Sequence, residues 1–421
     1  MGLVSASPRS PLALAALATV AIPGLDVVVA RPPRHPSPDY DGASLSDSHG
    51  RRWAVRAPRT TVAGAALEAE VELLTSLAEA VDAALLPFEV PRPVGFTALP
   101  EGGRAMAHRE LPGKALEVES VSQRQAEHLG QSVAAIHRLD TAMVGDAWLP
   151  VYDAEAYRRR RLAELDEAAA TGHVPAALLR RWEQALEDVR LWRFTPTVVH
   201  GDLAGEHLLV ERDEVLAVLD WAAARVADPA DDLAWLLAAA QPETGDLILD
   251  AYTRARRGHA DDFLSARTVL ASELALPRWL MHGVRTRQSS VIEDAVEMLA
   301  DLARAVADAE PIAQTSSTEW VTGPVPMYTY GSEFDGDEDY GNEFDGDGEA
   351  PVGEHEVAHG VAPRTDGTGY APDRDGDPDR AVLPDQSDTT EIPARDLLEP
   401  DYGHEDPERG DNSPTTQLPS N

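Results

Sequence analysis

The stretch VVHGDLAGEHLLV, Val198–Val210, decides how the rest of the chain is read. A short apolar run ends in Gly201 and the acid Asp202, and His207 stands five residues further on. Eighteen residues after Asp202 a second apolar run, VLAVLDW (Val215–Trp221), ends in another acid, Asp220. Runs of this kind read as short strands, and two carboxylates at the ends of neighbouring short strands can converge on one cleft. Such a pair suits phosphoryl transfer: one acid takes the proton of an attacking hydroxyl, and the other holds a magnesium ion that neutralises the phosphates. Taken singly, either acid reads more simply as a residue in a turn. DPADDLAWLL (Asp228–Leu237), just downstream, adds a third acid-bearing motif and tips the balance toward chemistry.

Composition bounds the alternatives. The chain has 421 residues and a net charge of −37, which argues against nucleic acid and against docking on anionic lipid. Cysteine is absent, so disulfides, thiolate metal sites and thiol nucleophiles are excluded; that suits a reducing cytoplasm, the location expected here. The basic residues are almost all arginine, and Lys114 is the only lysine.

The charge is uneven. Residues 311–421 hold 27 of the 73 acids and only 5 arginines, with abundant Pro, Gly, Ser and Thr, which predicts a disordered acidic tail whose partner is unknown. Within it, DGDEDYGNEFDG (Asp335–Gly346) fails as a calcium loop, because Tyr340 stands where such a loop needs Gly and Gly346 where it needs Glu. At the other end, the apolar run after Ser10 is too short and Ala-rich to span a membrane. A secretory segment is the rival reading, but Pro23-Gly24 and the strand-like DVVVA that follows favour a short helix, a turn and a first strand.

Between the ends, the pattern predicts an α+β fold with two lobes. Residues 1–111 read as strands around one main helix (63–86), with turns at Ser48-His49-Gly50 and Gly102-Gly103. Residues 112–310 read as a larger helical lobe, interrupted only by short strands around the opening motif.

At HGDLAGEH, VLDW and DPADDLAWLL, supported by AAIHRLD (Ala134–Asp140), the sequence resembles the aminoglycoside-phosphotransferase and choline-kinase-like family, over roughly residues 20–309. The resemblance implies a two-lobe protein-kinase-like fold and a nucleoside triphosphate bound between the lobes with Mg2+. It implies Asp202 as catalytic base, Asp220 as metal ligand, Asp232 as support for the catalytic loop, and His200 as a structural pin. The family's nucleotide lysine is replaced by Arg56 in WAVRAP, whose helix partner would be Glu70, with Glu68 as second choice. A guanidinium can serve the phosphates as a planar fork. Backbone groups near Ala107–Arg109 would meet the base. His207 stands where the family has a metal-binding Asn; it is either a ligand or a loop histidine bonded to backbone. Arg56 and His207 together look like the macrolide phosphotransferase branch, which implies GTP over ATP as donor.

The acceptor is argued from charge. A polycationic aminoglycoside needs clustered acids, whereas a macrolide needs an apolar wall. Thr268–Arg287 supplies Leu274, Leu276, Trp279, Leu280, Met281 and Val284 with one acid, Glu273, and Pro277 should kink the helix. Most of these read individually as core; Trp279 and Met281 are the acceptor candidates. The leading expectation is a macrolide kinase that confers antibiotic resistance. The alternatives are an aminoglycoside or small-metabolite kinase of the same fold, and a non-catalytic nucleotide-binding pseudokinase with an interaction tail.

Overall fold

A short N-terminal helix, α1 (Pro11–Ala21), starts at a clear stop-start signal: the Ser10 hydroxyl accepts the Ala13 N–H at 3.3 Å, and Pro11 takes the first helical position. It leads into strand β1 (Val27–Arg31), as the sequence suggests. The computed structural model describes residues 8–34, 36–37, 39–256 and 262–314. The acidic tail beyond Gln314 and the rejected calcium loop lie outside the described residues.

Strands β2 (Tyr40–Asp47), β3 (Arg52–Pro58), β4 (Pro93–Ala98) and β5 (Arg104–Arg109) complete an antiparallel sheet of order β1-β2-β3-β5-β4. Alternation sorts its two faces. Ala43, Leu45, Trp53, Val55, Ala105 and Ala107 pack with Leu14 and Ala18 of α1. The residues between them, Gly42, Ser44, Ala54, Arg56 and His108, line a large cavity on the opposite face. The backbones of the sheet and α1 approach closely at Gly95, where a Cβ would stand 2.1 Å from the Ala21 carbonyl oxygen.

Helix α2 (Thr61–Asp82) is capped by the Thr60 hydroxyl, which accepts the Ala63 N–H at 3.1 Å. It ends earlier than its helix formers suggest, because Ala84 turns the chain into the left-handed region (φ 55°) ahead of Pro87. Its Leu73, Leu74 and Leu77 join a core with Val218, Trp221 and Leu233 of the helical part. Backbone bonds from Glu89 N–H to the Leu216 carbonyl (2.8 Å) and from Val218 N–H to the Glu89 carbonyl (3.0 Å) reinforce that junction.

Beyond it run β6 (Lys114–Ala115) and helices α3 (Gln123–Ile136), α4 (Ala142–Asp146), α5 (Ala154–Ala170) and α6 (Ala176–Glu187). The short strands β7 (Thr197–Val199), β8 (Leu208–Glu211), β9 (Glu214–Val218) and β10 (Arg225–Ala227) follow. Helices α7 (Ala230–Ala239), α8 (Pro242–Ala255), α9 (Leu264–Glu273), α10 (Ala275–Thr286) and α11 (Ser289–Ala305) close the fold. Helical structure reaches past residue 310: Ile312, in a final 3-10 turn, is buried in the core with Leu270 and Trp182.

Two sequence expectations change. The acid-bearing strands are not neighbours, since β7 pairs with β10 while β9 pairs with β8 in a separate sheet. Their acids meet through loops. The segment expected as one kinked helix is two helices, broken at Leu274, because the Pro277 ring leaves no room for a helical carbonyl at Glu273.

Candidate active site

The loop after β7 must turn sharply, and Gly201 makes this possible. Its φ is +83°, and a Cβ there would lie 2.3 Å from both the Ala223 carbonyl oxygen and an Arg225 nitrogen. Asp232, in the first turn of α7, is fully buried and holds this loop from below. Its carboxylate accepts the His200 N–H and the Gly201 N–H, each at 2.8 Å. His137, at the end of α3, donates Nε2–H to it at 3.1 Å, and the Tyr252 hydroxyl lies 2.9 Å from the other ring nitrogen. Burial opposes ionisation of Asp232, but His137 and the backbone donors outweigh it and keep the carboxyl below the usual range.

His200 ties the two acid-bearing loops together. Its Nε2–H donates to the Leu219 carbonyl at 2.8 Å, and its Nδ1 accepts the Asp202 N–H at 3.3 Å. The Nδ1 bond requires the neutral ring, and burial lowers its pKa accordingly. Asp202 therefore reaches the cavity from a fixed backbone, with a side chain 52 % exposed.

Asp220 adopts a left-handed conformation (φ 60°, ψ 66°), which aims its side chain toward β3 and α2. Oδ1 accepts from Arg56 NH2 at 3.1 Å, and Arg56 NH1 donates to both Glu70 oxygens at 3.0 and 3.2 Å. The guanidinium also lies over the Tyr40 ring, 4.2 Å from its centroid. Burial opposes the charge on Asp220, yet Arg56 and the two nearby histidines hold its carboxyl below the usual range. Glu70 is fully buried, and burial pushes it up despite Arg56; it also accepts the Trp221 N–H at 3.2 Å. Glu68, the second choice in sequence, instead pairs with Arg104 on β5.

His207 donates Nδ1–H to the Asp202 carbonyl at 2.6 Å, which leaves Nε2 facing Asp220 Oδ2 at 3.7 Å. His207 therefore makes the backbone bond of one sequence reading, and its other nitrogen stands beside a carboxylate. Among the described residues no group of three metal-ligating side chains gathers.

Ala107 and Arg109 do not line the cavity. Ala107 sits inside the sheet, opposite Val55 and Gly95, with its side chain under α1, and the Arg109 guanidinium stacks on Trp53, 3.9 Å from the ring centroid. Alternation puts His108 on the cavity side instead, followed by Glu110 and Leu111. His108 donates Nδ1–H to the Arg109 carbonyl at 2.8 Å, and burial lowers its pKa to about 4. The alternation with Ala105 and Ala107 is the signal that could have found it.

The cavity is about 930 Å³ and runs from the β2–β3 face past Asp202 to α9 and α10. Trp279 and Met281 both line it, with Pro277 and Leu274. Trp279 donates to Asp294 at 2.8 Å and stacks on His282. Glu273, the one acid of that segment, is buried on the other side, bound by Arg181 and Trp182. Leu276 and Leu280 belong to the core, as their spacing suggests.

Residues 43–270 match the model of the phosphotransferase enzyme family that includes the aminoglycoside phosphotransferases. The chain belongs to that family. Its fold is shared by macrolide 2'-phosphotransferase MphH from Brachybacterium faecium, 26% identical, with a TM-score of 0.59 over 69% of this chain and 97% of that one. It is shared too by an aminoglycoside phosphotransferase solved with GDP and kanamycin, 18% identical, TM-score 0.56, over 68% and 96% of the two chains. The uncharacterized protein YcbJ of Bacillus subtilis (strain 168) is 24% identical over 274 residues, which is 62% of this chain and 87% of that one. This phosphotransferase has, among its described residues, no helix long and apolar enough to cross a membrane.

Proposed function

We propose that the enzyme transfers the γ-phosphate of GTP or ATP to a hydroxyl of a large, mostly apolar acceptor of the macrolide type, in the cytoplasm, and so protects its host from the antibiotic. The observation that carries this reading is that Asp202 lines one cavity together with two sets of side chains. One is Arg56, Asp220 and His207, with Glu70 behind Arg56; the other is a wall of Trp279, Met281, Leu274 and Pro277. That wall turns no free acid of its own segment toward the acceptor, which disfavours a polycation. The 26%-identical macrolide 2'-phosphotransferase supports the same acceptor class.

In this mechanism the Asp202 carboxylate accepts the acceptor's hydroxyl proton as its oxygen bonds the γ-phosphorus. The bond from that phosphorus to the β–γ bridging oxygen breaks, and the nucleoside diphosphate leaves with the electron pair. Arg56 reaches the phosphates from the sheet, held by Glu70. Asp232 and His200 fix the loop so that Asp202 loses little freedom when the acceptor arrives. Asp220 Oδ2 and His207 Nε2 would hold Mg2+: one is an ionised oxygen, the other a lone pair whose tautomer the Asp202 carbonyl sets. That donor set suits a cation that keeps several water and phosphate ligands, and the ion would supply neutralisation of phosphate charge.

The test is release of GDP or ADP by purified protein with an erythromycin-like or a kanamycin-like acceptor, beside Asp202→Asn. Macrolide-dependent release that falls by about 10³-fold in the variant, without loss of thermal stability, is expected. Turnover with kanamycin alone would overturn the acceptor class. Nucleotide binding without turnover for any acceptor would favour the pseudokinase.

A further inference from the structure

The acceptor half of the cavity has an arginine cluster that the proposed mechanism does not use. It is assembled from α5, β10, α7 and α10. Asp231 sits at its centre with both oxygens engaged: Arg161 NH2 donates to Oδ1 at 2.9 Å, Arg225 NH2 to Oδ2 at 2.6 Å, and the Tyr157 hydroxyl to Oδ1 at 2.6 Å. Glu164 is engaged by Arg161 at 2.7 Å and by Arg160 at 2.8 Å. Arg278 lies on the α10 wall beside them, and all of these except Tyr157 line the cavity.

Arg278 differs from its neighbours. Its hydrogen bonds go only to backbone carbonyls, Leu274 at 3.3 Å and Ala271 at 3.5 Å, near the limit of a useful bond. Among the described residues no carboxylate pairs with it. Four guanidiniums, from Arg160, Arg161, Arg225 and Arg278, therefore face two carboxylates that are already saturated. A surplus guanidinium in a concave, partly apolar wall is a poor neighbour for a cation and a good one for an oxyanion.

We infer that Arg278, backed by Arg161 and Arg225, forms an oxyanion subsite in the acceptor half, and that preferred acceptors carry a carboxylate, sulfonate or phosphate group as well as an apolar body and a hydroxyl. The inference rests on the proposed reading of this half as the acceptor site. It goes beyond it by assigning a charge to the acceptor: Arg278 is solvent-exposed, and a neutral macrolide body against the wall would displace that water and offer no anion in its place. Arg225 also reaches the Gly201 carbonyl at 3.4 Å, so the subsite stands next to the catalytic loop.

The test uses two probes with the same ring, naphthalene-2-sulfonate and naphthalene-2-sulfonamide, binding to the full chain loaded with magnesium and a non-hydrolysable GTP analogue. Calorimetry should give at least about tenfold tighter binding for the sulfonate, as expected of a charge-assisted pair. Arg278→Gln should erase that preference and Arg278→Lys should keep most of it. Arg278 is bonded only to backbone carbonyls, so both variants should retain the wild-type Tm. Equal binding of the two probes, no measurable binding of the sulfonate, or an unchanged preference in Arg278→Gln would overturn the inference. Inorganic phosphate that competes as well as the sulfonate would assign the site to a free anion and overturn it for the acceptor. Macrolide turnover is scored separately: turnover without sulfonate preference leaves the proposed function standing and removes the subsite, and the reverse result does the opposite.

Discussion

The two halves of the cavity use arginine in opposite proportions. At the end proposed for the nucleotide, Arg56 lies between two carboxylates, Glu70 and Asp220. At the end proposed for the acceptor, several guanidiniums crowd two carboxylates, Asp231 and Glu164. A charge surplus in a concave site is compensated by solvent until a ligand displaces that water, since an unpaired charge stripped of water is costly. The negative surplus suits a half that takes up a metal cation. The positive surplus suits a half that takes up an anion.

Removing Arg56 should break the comparison most severely. Arg56→Ala leaves the buried Glu70 and its neighbour Asp220 facing each other without a cation, and should cost about 4 kcal/mol of unfolding free energy. Urea denaturation checks this, and a loss under 1 kcal/mol would show that the two acids are solvated or protonated and that no negative surplus exists. The equivalent cut in the other half is Asp231→Ala, which strands Arg161 and Arg225 and should cost about 3 kcal/mol. Arg278→Gln removes a cation from the same cluster and should leave stability unchanged or raised. Were Arg278→Gln as damaging as Asp231→Ala, the positive surplus would be a structural ion-pair network and nothing more.

A third test asks how far the nucleotide half keeps its charge as pH falls. His108 has a folded pKa lowered to about 4 by burial, against about 6.5 when unfolded. The unfolded chain therefore binds the proton first, so this histidine's contribution is intact above pH 6.5 and is lost as pH falls toward 4. Between pH 7 and pH 5 the loss should be about 2 kcal/mol, and His108→Phe should flatten that part of the stability profile. The buried, neutral His200 adds a slope of the same sign, so the variant should reduce the decline without abolishing it. An identical profile in the variant would mean that His108 is reached by water in the folded state.

How much of this was legible in the sequence follows from what each feature depends on. Asp202, Asp220 and Asp232 could be read because each closes or opens a short element with a strong apolar pattern. Arg56 and Glu70 could be read because strand and helix follow each other directly, the two residues standing fourteen positions apart. The left-handed turn at Asp220 and the pairing of β7 with β10 were not legible; both depend on how distant segments pack. The arginine cluster was hidden for the same reason, since Arg161, Arg225, Asp231 and Arg278 come from four elements. His137 stood inside a motif that had been singled out, but its bond to Asp232 spans 95 positions. The backbone expected to meet the base, near Ala107–Arg109, lies in β5, and strand alternation turns the His108 side chain to the cavity face.

The smallest effect concerns the two glutamates that the sequence offered to Arg56. Glu68 and Glu70 are two positions apart on α2, about 200° around a helix, so they cannot both face β3. Glu70 is buried against Arg56, whereas Glu68 is half-exposed and holds Arg104 near the surface. Glu68→Ala removes only a surface ion pair and should cost at most about 0.5 kcal/mol, fading with added salt. It should leave nucleotide turnover at the wild-type rate, whereas Glu70→Ala should leave Arg56 with Asp220 alone and lower both stability and turnover. Thermal unfolding at low and high salt, with turnover measured alongside, separates the pair. A turnover defect in Glu68→Ala would mean that Arg104 and Glu68 take part in closing the sheet over the nucleotide, and the charge count of that half would then have to include them.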